Sequence, residues 1–147
     1  MGRRVILDTN LLIAYERNTI DRSLFDDDEL AIAAITVAEY RTGIELARSP
    51  EQAAQRTSAL AAIVSAVEVL DYTESTAAHH ARLIAFVRQQ GRPRGAHDLI
   101  IAAHAAETGR VLVSADASAR FATLPGVTPL KPAEYRGPEG DFPFQAR

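Results

Sequence analysis

Cysteine and tryptophan are absent from this chain of 147 residues, which also contains one methionine and a single lysine, Lys131. Without cysteine the chain has no disulfide framework and no thiolate zinc site, which favours a reducing compartment. No uninterrupted apolar run approaches the roughly 20 residues that a membrane-spanning helix needs. Asp8 falls where a signal peptide would need its apolar stretch to continue. We therefore expect a cytoplasmic protein without membrane association.

A large excess of charge of one sign is also lacking. The chain has 16 basic and 19 acidic residues and a formal net charge of -3, which argues against the uniformly basic surface of a histone-like nucleic-acid binder. Its length fits one compact domain with a sizeable core and is too short for two. Because proline, glycine and charged residues dominate the end of the chain, we expect one domain over 1–135 and a tail over 136–147.

Short apolar runs alternate with helical patterns along the chain. Strands are predicted at 5–7, 30–35, 67–70 and 111–113, with a weaker fifth strand at 127–130. Helices are predicted at 11–17, at 36–47, from Pro50 onward, at 74–90 and at 98–107. This alternation predicts an α/β fold with a central, mostly parallel sheet of four to five strands flanked by helices on both faces.

Four acidic residues occupy comparable places in this pattern. Asp8 follows the first strand and Asp116 the fourth. Glu39 lies one turn into the helix after the second strand, and Asp98 opens the apolar helix before the fourth. Ligand sites in open α/β sheets form beyond the carboxyl ends of the strands. A purely structural interpretation stays open, because Asp8, Asp98 and Asp116 suit helix starts. Thr36 and Glu39 also match a capping box.

The four acids make a stronger prediction together than singly. Carboxylates that lie close together raise one another's pKa unless a cation compensates. A set of carboxylates without histidine is the kind that Mg²⁺ or Mn²⁺ prefers. Four such groups carry more negative charge than the whole chain's net -3, so the rest of the surface is near neutral. The composition therefore predicts one concentrated acidic pocket and does not exclude nucleic acid.

Four segments in this order resemble the PIN domain and, within it, the VapC toxins of bacterial toxin–antitoxin pairs. They are VILDTN (5–10), AEY (38–40), GAHDLIIAA (95–103) and LVSAD (112–116). The resemblance runs from about residue 5 to 130 and is most specific between 91 and 121. It implies a three-layer PIN-like fold and an endoribonuclease that uses Mg²⁺ or Mn²⁺. It also implies an RNA substrate, a cognate antitoxin and a homodimer.

The resemblance assigns roles to individual residues of this chain. Ser114 stands where the family usually has threonine or serine, and Asn10 where a small polar residue is usual. The gap from Asp116 to Phe121 is longer than in the shortest family members. The tail has no clear counterpart. The metal-binding and catalytic acids implied are Asp8, Glu39, Asp98 and Asp116.

The hypothesis that follows is hydrolysis of a phosphodiester bond by metal-activated water. Asp8 and Asp98 are the first candidates for direct metal ligands, and Asp116 is a ligand directly or through water. Glu39 would bind a second metal ion or orient the water. RNA would be bound by basic side chains near the acids, unless these are ordinary solvated charges. The candidates are Arg41, Arg92 and Arg94.

Three alternatives stay open at the level of sequence. A phosphatase of the haloacid dehalogenase type would need an acid where Asn10 stands. A receiver-type signalling domain would need paired acids in the first loop and a late lysine, which this chain does not match well. A non-catalytic PIN-like module that binds RNA or protein would not need all four acids. Of the histidines, His104 is expected in the core and His97 near the site or on the surface.

Overall fold

The computed structural model describes residues 2–16, 25–116 and 119–130. The predicted boundary near residue 135 and the tail lie outside the described residues. Within the described ranges the strands are β1 (Arg4–Leu7), β2 (Glu29–Ala33), β3 (Glu68–Leu70), β4 (Val111–Val113) and β5 (Thr128–Leu130). The helices are α1 (Thr9–Glu16), α2 (Ala34–Glu45), α3 (Pro50–Ala66), α4 (Glu74–Gln90) and α5 (Ala96–Thr108), with a short 3₁₀ helix at Phe121–Thr123.

The five strands form one parallel sheet in the order β3-β2-β1-β4-β5. β1 is the central strand, and its residue Val5 is paired with Leu30 of β2 and with Val111 of β4. All described pairings are parallel, so the carboxyl ends of the strands meet at one edge of the sheet. The predicted α/β fold with a parallel sheet is confirmed.

The core lies on both faces of the sheet. Val5 and Leu7 of β1 pack on one face with apolar residues of α1, α2 and α3, whereas Ile6 packs on the other face with α4 and α5. All three side chains are at most 1% exposed. Burial of each such side chain contributes about 1.5–3 kcal/mol. Successive side chains of a strand point to opposite faces, so a short apolar run with no polar position is what a three-layer fold requires.

The second strand ends earlier than predicted, and this changes the interpretation of Glu39. Pairing of β2 with β3 stops at Ala33, and the chain turns into α2 at the next residue. Ile35 still packs against the core, but from the helix. Thr36 therefore lies inside α2 and is not its N-cap, which is Ala33 without a side-chain bond. The capping-box alternative for Glu39 is wrong, because an apolar run does not mark where a strand becomes a helix.

Other helix boundaries follow their local signals. The Ser49 hydroxyl accepts a hydrogen bond from the backbone N–H of Gln52, with Pro50 in the first helical position of α3. The C-cap of α5 is Gly109, whose φ of 66° favours glycine. Among the described residues, no helix combines the length and apolarity needed to cross a membrane.

Candidate active site

The site begins where the central strands β1 and β4 end side by side. The backbone N–H of Asp8 donates to the carbonyl of Val113 at 3.0 Å, which brings Asp8 next to Ser114. The Ser114 hydroxyl donates to Asp8 Oδ2 at 2.7 Å, and Asp8 Oδ1 accepts from the N–H of Thr9 at 2.8 Å. Asp8 is only 4% exposed. These two hydrogen bonds therefore orient the Asp8 carboxylate at the carboxyl edge of the sheet.

Glu39 joins this edge from α2. The Thr9 hydroxyl donates to Glu39 Oε1 at 2.9 Å and lies 3.3 Å from the hydroxyl of the fully buried Thr36. On its other side, Glu39 Oε2 lies 3.5 Å from His97 Nδ1 of α5. Sequence reasoning missed Thr9 as a residue that orients Glu39, and it linked Thr36 to Glu39 only through a capping box that the structure does not form. The available signal was the position of Thr9 directly after Asp8, but nothing local linked it to α2.

Asp98 enters the site from the first turn of α5, where the helix dipole favours a negative charge. Its carboxylate lies against Gly95, because a Cβ added at Gly95 would be 2.9 Å from Asp98 Oδ2. Any side chain at position 95 would therefore push the carboxylate aside. The structural interpretation of Asp98 as a charge at a helix start and its candidate role in the site are compatible.

Asp116 follows β4 on an exposed turn. The backbone N–H of Asp116 donates to the Ser114 hydroxyl oxygen at 3.0 Å, so Ser114 connects the first and fourth acids. Asn10 accepts a hydrogen bond from the N–H of Ala115 through Oδ1, at 3.4 Å. Both residues expected to support the acids thus contact the loop between β4 and Asp116. Their roles in catalysis stay predictions.

The electrostatics show that the acids act on one another. Burial raises the pKa of Asp8, the bonds from Ser114 and Thr9 oppose this shift, and the charges of Glu39 and Asp116 add to it. The pKa of Asp98 rises to about 6, first through burial and then through the charges of Asp8, Asp116 and Glu39, with His97 in opposition. The fold therefore brings the four sequence-predicted acids into one negative cluster.

The donor chemistry of this cluster fits a hard divalent cation. Its acidic members offer only oxygen ligands. The pKa of Asp8 and of Asp98 is raised, first by burial and also by the charges of neighbouring acids, which a bound cation would offset. Within the described ranges, no three acidic or histidine side chains are already arranged as a metal-binding group. A bound cation would have to gather the carboxylates around itself, and it would offset their mutual repulsion.

The three arginines expected to bind RNA lie in different surroundings. Arg92 is exposed on the loop before α5. Arg41 is exposed too, but it lines a groove between α2 and α3, whereas Glu39 contacts α1 and α5. Arg94 directs its Nη1 and Nη2 groups to acceptors of the protein itself, at Ala119, Arg120 and Thr123. RNA binding by these residues stays a prediction.

Of the histidines, His104 is 1% exposed in the core, as predicted. His97 is exposed and contacts Glu39, also as predicted for a residue near the site or on the surface. His80 Nδ1 is hydrogen-bonded to the Tyr72 hydroxyl at 2.8 Å on α4, away from the acids. The acidic cluster therefore has one histidine neighbour among these three.

Known proteins are similar to this chain in sequence and in fold. The PIN domain family model matches residues 5–125. The tRNA(fMet)-specific endonuclease VapC of Shigella flexneri is 30% identical over 115 residues, which cover 76% of this chain and 85% of that protein.

Two solved structures also superpose well. VapBC of Salmonella typhimurium bound to DNA gives a TM-score of 0.78 at 29% identity and covers 90% of this chain and 99% of that one. VapBC-5 of Mycobacterium tuberculosis, a toxin–antitoxin system, gives 0.74 at 28% identity and covers 88% and 99%. Because its sequence and its fold both match over most of its length, the chain belongs to the PIN domain family and, within it, to the VapC proteins.

Proposed function

We propose that this chain is an Mg²⁺- or Mn²⁺-dependent endoribonuclease that hydrolyses RNA phosphodiester bonds with water. The observation that carries this proposal is the cluster of four carboxylates at the carboxyl edge of the sheet, in which the pKa of Asp8 and of Asp98 is raised. Groups with such perturbed pKa values gather at functional sites. The Shigella flexneri relative is a tRNA(fMet)-specific endonuclease, which supports RNA as the substrate.

Each acid has a distinct task in this proposal. Asp8 and Asp98 would be the direct ligands, because burial raises the pKa of both carboxyl groups and a cation would favour their charged form. Asp116 binds directly or through water from its exposed turn, and Glu39 binds a second ion or orients the attacking water. A cation held by these residues would supply a lowered pKa for the attacking water and compensating charge for the leaving oxygen. Ser114 keeps the Asp8 carboxylate oriented through its 2.7 Å hydrogen bond.

The alternatives fit the site less well than the nuclease does. A phosphatase of the haloacid dehalogenase type needs an acid two residues after Asp8, where Asn10 instead accepts a bond from Ala115. A non-catalytic binding module has no need for repelling, partly buried carboxylates, which cost stability. The geometry therefore supports the nuclease best.

Purified full-length chain, incubated with RNA and increasing Mn²⁺ or Mg²⁺, tests the enzymatic proposal. Asp8→Asn and Asp98→Asn keep the size of the side chain but lose a charged ligand. We expect cleavage to fall on the order of a hundredfold to ten-thousandfold, the effect of losing several kcal/mol of charge stabilisation. Glu51→Gln, at an exposed position in the first turn of α3, is the matched control and should cleave as wild type does.

Excess EDTA should stop the wild-type reaction. Full activity in the presence of EDTA, or full activity of Asp98→Asn, would overturn the proposed mechanism. An unfolding curve of each variant, recorded beside the assay, separates loss of a ligand from loss of the fold.

We further propose that the chain is the toxin of a toxin–antitoxin pair in the cytoplasm, acting as a homodimer and inhibited by a cognate antitoxin. The structural match to a toxin–antitoxin system of Mycobacterium tuberculosis supports this assignment. Induced expression alone should arrest growth, whereas co-expression of the antitoxin or the Asp8→Asn substitution should restore it. Arrest in all three cultures would indicate non-specific toxicity and contradict the assignment.

A further inference from the structure

Two arginines tie the loop before α5 to the segment that follows the fourth acid. Arg94 Nη1 donates to the carbonyl oxygens of Ala119 and Arg120, each at 2.8 Å, and Arg94 Nη2 donates to the Thr123 hydroxyl. Arg120 Nη2 donates in return to the carbonyl of Pro93 at 3.2 Å. We call this reciprocal set of bonds, formed by Arg94, Arg120 and Thr123, the arginine clasp.

Each side of the clasp leads directly to an acid of the site. Arg94 precedes Gly95, the N-cap of α5, and Asp98 follows in the first turn of that helix. On the other side, the N–H of Ala119 donates to the carbonyl of Asp116 at 3.4 Å. The clasp therefore joins the chain segments that carry the third and fourth acids, at the point where each enters the site.

The arginine clasp contains three features that are each unfavourable by themselves. Arg120 has φ 49° and ψ 45° and is the one residue other than glycine with positive φ in the described parts of the chain. Arg94 Nε is buried without a hydrogen-bond partner among the described residues. Burial first, and then the charges of Arg120 and Arg92, lower the pKa of Arg94, whereas the charge of Asp98 raises it. Strained backbone of this kind persists where surrounding contacts overdetermine it, commonly at functional sites.

The chemistry of the clasp needs arginine at position 94. Two successive carbonyls and a hydroxyl accept from the two terminal nitrogens of a single side chain. A planar guanidinium holds its donors at fixed angles, whereas a lysine ammonium is a point charge on a flexible stem. Because these donors are directed into the protein, they are not turned toward a phosphate. This geometry favours a task within the protein over the RNA contact expected from sequence.

We propose that Arg94 is a positioning residue, which holds Asp98 and Asp116 at the spacing that the metal requires and makes no contact with RNA. This inference rests on the proposed function, because it concerns the same four acids. Residues that orient metal ligands typically change metal affinity or activity by about 10- to 100-fold when they are altered. The clasp is such a device, acting through the backbone of both acid-bearing segments.

The substitution Arg94→Lys tests this inference, since it keeps the positive charge but cannot maintain all three bonds. For this variant we expect a Mn²⁺ dissociation constant about tenfold higher, measured by calorimetry without RNA, and kcat about tenfold lower at saturating Mn²⁺. The KM for RNA and its dependence on salt should stay as in wild type. Arg88→Lys, at an exposed position in the last turn of α4, is the matched control and should change none of these quantities.

A second variant guards against misfolding of the first. Thr123→Val keeps the shape of the side chain and removes one acceptor of the clasp, so we expect the same direction of change at smaller size. A raised KM with a weaker salt dependence in Arg94→Lys, at unchanged Mn²⁺ affinity, would show a phosphate contact and overturn the inference. Reduced stability of both variants with unchanged Mn²⁺ affinity and kcat would show a purely structural clasp and overturn it too.

Failure of the clasp and failure of the proposed function give different results. If wild type binds Mn²⁺ and Asp98→Asn does not, while Arg94→Lys binds as wild type does, the clasp inference alone is wrong. If wild type binds no Mn²⁺ and Asp98→Asn still cleaves RNA, the proposed function is wrong and the clasp loses its basis.

Discussion

Charged side chains are arranged in opposite ways at the two edges of the sheet. At the amino edge, where the strands begin, acids are paired with arginines: Arg4 Nε lies 3.5 Å from Glu29 Oε2, and Arg110 Nη2 lies 3.0 Å from Glu68 Oε2. At the carboxyl edge the fold brings Asp8 and three further acids together, so that like charges repel. The same sheet thus neutralises charge at one edge and concentrates it at the other.

This difference shows that the carboxyl edge, which carries the candidate site, is less stable without a ligand than the amino edge is. Opposite charges at the amino edge favour the fold whether or not anything binds. The crowded acids at the carboxyl edge favour the fold only when a cation is bound or protons are taken up. In the absence of metal, neutralising an acid should therefore lower stability at the amino edge and raise it at the carboxyl edge. The expectations below are ordered by size.

Binding of a divalent cation should have the largest effect, because it compensates the repulsion at the carboxyl edge. At a concentration 100 times the dissociation constant, Mg²⁺ or Mn²⁺ should raise the free energy of unfolding by about 2.7 kcal/mol. Denaturant titrations with metal and with EDTA measure this difference. Asp98→Asn should lose most of the response, whereas Glu68→Gln, altered at the amino edge, should keep it. An equal response of both variants would place the bound ion away from the acids.

Breaking the ion pair at the amino edge should come next. The Arg110 side chain is 4% exposed, and its Nε and Nη1 atoms are buried without a hydrogen-bond partner among the described residues. Glu68→Gln leaves this guanidinium without its carboxylate and should cost about 2 kcal/mol, less than a fully buried pair because Glu68 is itself largely exposed.

The Glu45→Gln substitution, on exposed α2 surface, is the control for this pair and should change stability by less than about 0.5 kcal/mol. Adding Arg110→Met to Glu68→Gln should recover part of the loss, since the unpaired charge is then gone. The same free energy of unfolding for Glu68→Gln and wild type would mean that the pair contributes nothing.

Removing the hydroxyl that joins two acids should have an intermediate effect. Ser114→Ala deletes the donor to Asp8 Oδ2 and leaves the N–H of Asp116 without its acceptor. We expect a loss of about 1.5 kcal/mol in the free energy of unfolding, because hydrogen bonds to charged groups are stronger than neutral ones. Ser114→Thr keeps the hydroxyl and should retain more stability than alanine does. If alanine is the better of the two, the hydroxyl does not support Asp8.

Neutralising an acid at the carboxyl edge should stabilise the metal-free protein, in contrast to Glu68→Gln. The folded-state pKa of Asp98, about 6, exceeds its ordinary value of 3.8. The unfolded chain therefore releases its proton first, and Asp98 lowers stability as pH rises from about 4 to 6. At pH 8 in EDTA, Asp98→Asn should be more stable than wild type by about 1 kcal/mol after allowance for solvent screening.

At pH 4.5 this advantage should be mostly lost, because Asp98 is then largely protonated in the folded protein. Asp27→Asn, on an exposed turn at the amino edge, serves as control and should give no gain at either pH. Destabilisation by Asp98→Asn at pH 8 would contradict the repulsion inferred at the carboxyl edge.

Much of the fold was predictable because its signals are local. The run Val5 to Leu7 has no polar position and thus predicts a strand buried on both faces, which β1 is. The structure departs from the sequence patterns where a choice depends on the third dimension. The end of β2 at Ala33 coincides with its last pairing with β3, and neither Ala34 nor Ile35 carries a local signal for the end of a strand.

The candidate site was predictable in its members and not in its connections. Asp8 and Asp116 are marked by the strands that they follow, and Asp98 by the helix that it opens. That Thr9 donates to Glu39, 30 residues away, depends on how α1 and α2 pack. Arg94 donates to the carbonyls of Ala119 and Arg120, and this contact depends on the turn at Arg120. The sequence shows only that Arg94 is positively charged, and the prediction of an RNA contact was based on that charge.

By itself, the sequence determined the alternation of strands and helices, the four acids at element ends and the absence of thiol chemistry, since these follow from residue types and from spacing along the chain. Only the tertiary structure decided which acids lie near one another, which of them is buried and which arginine is hydrogen-bonded to the protein's own backbone. The physical reason is that desolvation and repulsion act through space over a few ångströms. They join residues of β1, α2, α5 and the turn after β4 that lie far apart in the chain.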